Sequence, residues 1–229
     1  MAEGLGRLAK TDAIDAATLC EIAQRFPPAV RPAPDDITME IKELYAARAS
    51  AIKRRAMVRT QDTASDNALV HSLLATGQAG LTTRIKALTA ALNARFTAKA
   101  ETRRTREILM SIPGIGEGAV IAILTELTEI GQASRAEIAA LTGTAPMTRQ
   151  SGTWNGRART RGGRRSLRAA LHMPAIVAMT RNPDLKAFAD RRRAKGKHAC
   201  VIITAVLRKL MVLANTRVAE NRIRTEKKP

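Results

Sequence analysis

A mainly α fold is the expectation for these 229 residues, and three observations carry it. Hydrophobic residues make up 45% of the chain but aromatic ones only 2%, so a core must rest on Ala, Leu, Ile and Val, a helix-rich choice. Residues 36–107 contain no proline and only two glycines, Gly77 and Gly80. No stretch reads as a strand of convincing length, and no internal repeat or low-complexity tract interrupts the chain.

Taken in order, "TDAIDAATLCEIAQRF" (11–26) reads as a helix that "PPAVRPAP" stops, because proline cannot continue one. Further on, Leu81, Ile85, Leu88, Leu92 and Phe96 recur at helical spacing. The stripe Ile37, Ile41, Leu44 weakens where Arg48 and Arg55 fall on it. Residues 36–107 are therefore expected to form two or three long helices in an antiparallel arm, turning near "TGQAG" (76–80). Such an arm serves as a spacer or as a coiled-coil contact between copies of the chain. "ILMSIPGIGEGAVIAILTEL" reads as helix, tight turn, helix. "RRSLRAALHMPAIVAMT" and "HACVIITAVLRKLMVLANTRVAENR" also look helical, whereas "RQSGTWNGRARTRGG" has too many turn residues for a regular element.

The formal charge is +19, and its distribution matters more than its size. From Arg149 onward the net is +17; the first 148 residues carry +2. A polyanion partner is the natural reading, since each neutralised phosphate releases counterions, with a merely basic surface as the bland alternative. Cys20 and Cys200 lie far apart and His71, His172 and His198 are scattered, which argues against a disulfide framework or structural zinc. The N-terminus lacks an apolar signal region and no uncharged apolar run approaches membrane length, so a soluble, intracellular protein without membrane contact is expected.

Three features carry candidate chemistry. Asp12 and Asp15 fall on the face of the first helix that also carries Leu19, Ile22, Ala23 and Phe26, with Ile14 pointing the other way. They are either a helix-start cap or half of a site for Mg²⁺, which takes carboxylates with phosphate oxygens. Gly114 and Gly116 in "IPGIG" allow close backbone approach ahead of a helix N-terminus, a pattern resembling the helix-hairpin-helix of DNA binders; a plain tight turn is the alternative. Third, Arg149, Arg157, Arg159, Arg161, Arg164, Arg165 and Arg168 crowd a segment of 23 residues holding no acid. Within it Ser166 reads as an early-helix residue, while Ser151, before Gly152, sits where a side chain can meet a bound backbone. A serine can attack phosphorus if preorganised donors stabilise the developing charge, and arginine forks do this well. No His, Asp or Glu is near in sequence to act as base, so a solvated nucleic-acid-binding loop stays open beside the nucleophile. Trp154 could stack on a base or anchor packing.

Taken together, "GRLAKTDAIDAATL", "IPGIG", "LTGTAPMTRQSGTWNGRARTRGGRRSLRAALHMPA", "NPDLKAF" and "KGKHACVIITAVLRKLMVLAN" resemble the bacterial insertion-sequence transposases of the one-ten group, related to Piv-type DNA invertases. The resemblance covers essentially the whole chain. It implies a RuvC-like (RNase H-fold) domain, a helical coiled-coil arm and a helical transposase domain, here 1–35, 36–107 and 108–229. It implies that Lys10, Asp12, Asp15 and Ala16 match a "K-x-D-x-x-D-A" motif holding the last two of four metal-binding acids. It also implies that Ser151 and Gly152 are the nucleophile's "SG" motif, and that Gly163, Leu167, Arg168 and Leu171 fit "G-x-x-x-L-R-x-x-L". Ser151 would form a transient phosphoserine link with DNA, with Mg²⁺ bound by carboxylates of another protomer. The candidate phosphate contacts are Arg149, Arg157, Arg159, Arg161, Arg164, Arg168, Gly114 and Gly116. Partners implied are DNA, a structured noncoding guide RNA and a second copy through the arm, in the cytoplasm at the nucleoid. The departure is at the start, where Asp12 follows Met1 by eleven residues, so that most of the RuvC-like domain is expected to be missing. Weak or no recombination is expected from that, and the alternatives are a catalytically inactive nucleic-acid-binding remnant or a helix-hairpin-helix repair nuclease.

Overall fold

A computed structural model describes residues 11–27, 33, 35–151 and 154–223, leaving aside the side chains of Arg149, Ser151, Trp154, Asn155 and Arg157. Within them lie ten α-helices and one two-stranded sheet, divided into two compact units, Met1–Asp36 and Ile37–Pro229.

The first unit contributes α1 (Asp12–Arg25), whose cap Thr11 accepts a hydrogen bond from the Ile14 amide at 3.3 Å. The expected apolar face is corrected here. Leu19 and Phe26 are 66% and 65% exposed, and the shielded stripe runs instead through Ile14, Thr18 and Ile22, with Thr18 buried. Helical spacing marks out a stripe but not which stripe a neighbour covers, and here Ile14 and Ile22 flank the buried Thr18.

The second unit opens with the arm, α2 (Asp36–Thr63) and α3 (Ala68–Ala98). The helices run antiparallel, as three links at successive heights show. Glu40 receives Arg95 at 2.6 Å, Arg48 Nε donates to Thr89 Oγ1 at 2.8 Å, and Asp62 meets His71 at 2.7 Å. The turn lies at 64–67, not at 76–80. Asn67 Oδ1 caps α3 by accepting from the amides of Leu69 and Val70, and Ser65 Oγ accepts from the Asn67 amide. A capping side chain that satisfies two orphan amides fixes a helix start more firmly than interior glycines break a helix, which cost about 1 kcal/mol each. Gly77 and Gly80 accordingly lie inside α3.

Beyond Lys99 follow α4 (Ala100–Met110), α5 (Glu117–Glu126), α6 (Arg135–Leu141), α7 (Arg165–Ala170), α8 (His172–Arg181), α9 (Pro183–Ala194) and α10 (Ala199–Ala219). Helix α10 is the axis of the core, with α4, α6, α8 and α9 packed around it. By length and composition it could cross a membrane, yet Ile202, Val206, Leu207, Leu210, Met211 and Ala214 are buried against neighbouring helices and Arg208 and Lys209 interrupt it. A second cluster, Leu92, Phe96 and Ile121, with Ile41, Leu44 and Tyr45 against it, fastens the arm to α5.

The basic segment expected to be irregular forms a hairpin. Strand β1 (Pro146–Ser151) pairs antiparallel with β2 (Trp154–Thr160), and a bulge between the Met147 and Arg149 pairings adds one residue to β2. Alternating backbone ladders tolerate glycine and arginine where both faces meet solvent, so the absence of apolar periodicity hid the strands.

Candidate nucleic-acid interface

The hairpin is held at its base by backbone contact that only glycine permits. Gly143 (φ 65°), after α6, and Gly163 (φ 67°), before α7, touch so closely that a Cβ on Gly163 would lie 2.2 Å from the Gly143 nitrogen. Arg168 bridges the two loops from α7, its Nη1 donating to the carbonyls of Gly143 at 3.1 Å and Gly162 at 2.9 Å. Leu167 and Leu171 beside it are fully buried. In the "G-x-x-x-L-R-x-x-L" pattern, the glycine thus allows close approach, the leucines pack and the arginine bridges.

Arg164, one of the candidate phosphate contacts, is paired within the fold. Its fork grips Glu129, Nη1 to Oε2 at 2.7 Å and Nη2 to Oε1 at 2.5 Å, and Nη1 also donates to the Glu126 carbonyl. The fork of Arg164 holds the Glu129 carboxyl below its ordinary range, and Glu129 in turn pushes the guanidinium up. The arginine-rich segment contains no acid of its own, but α5 and the loop after it supply one. Ser166, expected to be an ordinary early-helix residue, donates to Glu126, which also accepts from the Tyr45 hydroxyl at 2.6 Å. Burial and that carboxylate both raise the Tyr45 pKa, so the phenol stays protonated and keeps donating. One carboxylate therefore joins α2, α5 and α7.

What remains for a ligand is the exposed part of the hairpin and its exit. Arg159, Arg161 and Arg165 are exposed and no carboxylate pairs with them among the described residues. The side chains of Arg149, Arg157 and Ser151 fall outside the described residues, as do Lys10 and Gly152; the backbone of Ser151 ends β1, paired with Trp154. Gly114 (φ 106°) has its open side against α8, where a Cβ would lie 2.5 Å from Ala178 Cβ. The close approach it allows is thus internal to the fold. Gly116 is exposed with nothing within 4 Å, but Glu117 stands in the first turn of α5, held by Asn93 Nδ2 at 2.7 Å and Arg106 at 3.7 Å. A carboxylate already occupies the positive end of that helix. Asp12 is exposed and Asp15 half-buried, one turn apart on α1. Carboxylates are the donors a hard cation takes, so the pair fits as part of a Mg²⁺ site, although no group of three or more His, Cys, Asp or Glu gathers among the described residues.

The helical core carries a cationic hairpin, and nearly all the excess charge lies in the last 81 residues, which makes this part of the surface attractive to anions. Residues 106–190 match the model of the Transposase IS116/IS110/IS902 family, so this segment is similar to that family's transposases. It is 32% identical over 126 residues to an uncharacterised 43.6 kDa protein of insertion element IS110 from Streptomyces coelicolor, covering 54% of this chain and 31% of that one. Against the pilin gene-inverting protein of Moraxella bovis it is 33% identical over 126 residues, 53% of this chain and 39% of the relative. An uncharacterised 42 kDa protein of insertion element IS900 from Mycobacterium paratuberculosis is 31% identical over 192 residues, 76% of this chain and 48% of the relative. The matched regions span less than half the length of each of these relatives.

Proposed function

We propose that this chain is the DNA-cutting and rejoining part of an insertion-sequence transposase, with Ser151 as nucleophile. The observation that supports the reading is the family match over 106–190, a range that includes both strands of the hairpin and Ser151, the last residue of β1. Ser151 Oγ would form a bond to phosphorus while one phosphorus–oxygen bond to deoxyribose breaks; the serine proton leaves to a base and the released oxygen takes one up. Arg159 and Arg161 on the exposed hairpin would bind the phosphate oxygens and stabilise the added charge. Asp12 and Asp15 would hold Mg²⁺, which supplies charge stabilisation at attacking and leaving oxygens when bound. The turn Ile112–Gly116 would act as a helix-hairpin-helix beside the duplex, and α1 would belong to the RuvC-like acidic domain. A second copy would dock along the arm, where Met57, Leu69 and Leu73 are 56%, 68% and 64% exposed. A structured noncoding RNA fits the same cationic surface, in the cytoplasm at the nucleoid.

The test is covalent trapping on a nicked DNA substrate with Mg²⁺. The expected result is an SDS-resistant protein–DNA adduct whose modified peptide contains Ser151, lost in Ser151→Ala while binding persists. An adduct that survives in Ser151→Ala removes the assignment. A wild-type chain that binds but never forms an adduct favours the second reading, a non-catalytic nucleic-acid binder; the lack of a third acid near Asp12 and Asp15 among the described residues supports that reading.

A further inference from the structure

Beneath the hairpin lie two adjoining clefts of about 530 and 610 Å³ that share Thr160 and Thr204 in their walls. One half presents Arg165, Arg168 and His172; the other presents Arg159, Arg192 and Arg208. Among the described residues, no aspartate or glutamate lines either half. Pro146, Val201, Ala205 and Leu207 add apolar side chains to the same lining. Five arginines from β2, α7, α9 and α10 therefore share the trough's lining with apolar side chains. Two neighbouring cations are set apart by local contacts. In the run Arg191–Arg193, Arg193 pairs with Asp190 at 2.6 Å, whereas Arg192 lies 5.2 Å over the Phe188 ring, which also carries Lys209 at 4.6 Å. A ring face orders a guanidinium without neutralising it, so Arg192 keeps its charge for a ligand.

We propose that this trough binds a stretch of unpaired nucleotides, phosphates against the arginines and bases against the apolar side chains. This rests on the nucleic-acid reading above and shares Arg159 with it, but otherwise assigns a different surface and a different form of the polymer. Charge complementarity selects the polyanion. The apolar part of the lining selects single strands, because a duplex presents only its hydrated backbone and hides its base faces, whereas unstacked bases offer π-faces to apolar and guanidinium groups. The cleft volumes suit nucleotide-sized groups, not the girth of a duplex.

Cys200 lines the trough and Cys20 lies on α1, both exposed, which gives the full chain an internal control. Maleimide alkylation of each is followed with oligothymidine, oligouridine or duplex DNA of about twelve units added. A bound single strand is expected to slow alkylation of Cys200 about fivefold or more and leave Cys20 unchanged. The double substitution Arg192→Ala, Arg208→Ala is expected to weaken single-strand binding about tenfold or more and to lower its salt slope by about two, with duplex affinity little changed. Tighter binding of either oligouridine or oligothymidine than of duplex supports the trough. A Cys200 that stays reactive while the strand is bound, or an equal loss for duplex, overturns the proposal and leaves the DNA reading standing. Failure of all three probes to bind overturns both.

Discussion

Arg164 and Arg159 are five positions apart in one cationic run, yet their surroundings assign them different work. The fork of Arg164 closes on Glu129 and the Glu126 carbonyl, tying the hairpin's exit to α5, whereas no carboxylate pairs with Arg159 among the described residues. The side chains of the Arg164–Glu129 pair retain 32% and 40% of their exposure, so solvent screens it, and Arg164→Ala is expected to cost about 1–2 kcal/mol. That is a fall of several degrees in thermal midpoint, measured by calorimetry. The carboxyl of Glu129 is held below its ordinary 4.5, so its contribution is complete above that pH and fades as the pH falls through the lowered value. Wild type and Arg164→Ala should therefore differ in stability at pH 7 and converge in acid below about 4.5; a gap that stays constant across that range would mean the pair is not what Arg164 contributes. The sequence could not separate the two arginines, because Glu129 lies 35 residues away and its spacing carries no pattern.

At the level of elements, the turn between α4 and α5 contains two glycines that the sequence presents as equivalent. Added Cβ atoms separate them. At Gly114 one would meet Ala178 Cβ, Cα and N at 2.5, 2.8 and 2.9 Å with φ at 106°, so backbone would have to move. At Gly116 φ is −95° and nothing lies within 4 Å. Gly114→Ala is expected to destabilise by about 3 kcal/mol or more, through overpacking and a strained backbone. Gly116→Ala should cost no more than about 1 kcal/mol, as a poorer helix cap. Chemical denaturation of both variants measures this, and equal losses would refute the α8 contact as the reason for Gly114. Nucleic-acid affinity of Gly116→Ala then tests the helix-hairpin-helix directly, since close phosphate approach would be blocked in a folded protein. The long helices were legible, because apolar spacing and proline breaks are local signals. The arm's turn and the hairpin were not, since Asn67's capping bonds and the exposed β ladder leave no apolar period to read.

The whole molecule is electrically lopsided, with +17 of its +19 formal charge from Arg149 onward. The structure divides those cations into bound and available sets. Arg164, Arg193 and Arg222 are matched by Glu129, Asp190 and Glu220, and Arg168 donates to backbone carbonyls. Arg159, Arg161, Arg165, Arg192 and Arg208 remain exposed around the hairpin and the trough. Binding driven by these groups must weaken as salt rises, because the counterions they displace are released into a solution already rich in them. With about five phosphates neutralised, affinity for single-stranded DNA should fall about a hundredfold between 50 and 200 mM salt, read by fluorescence anisotropy. Replacing Arg159 or Arg161 by Ala should flatten the slope by about one each, whereas Arg164→Ala should leave it unchanged at a temperature where the variant is folded. A flat salt response would remove the polyanion reading that charge alone supports. A slope that drops equally for Arg164 would show that its grip on Glu129 opens when nucleic acid arrives, making Glu129 a competitor for that arginine and no longer a fixed anchor.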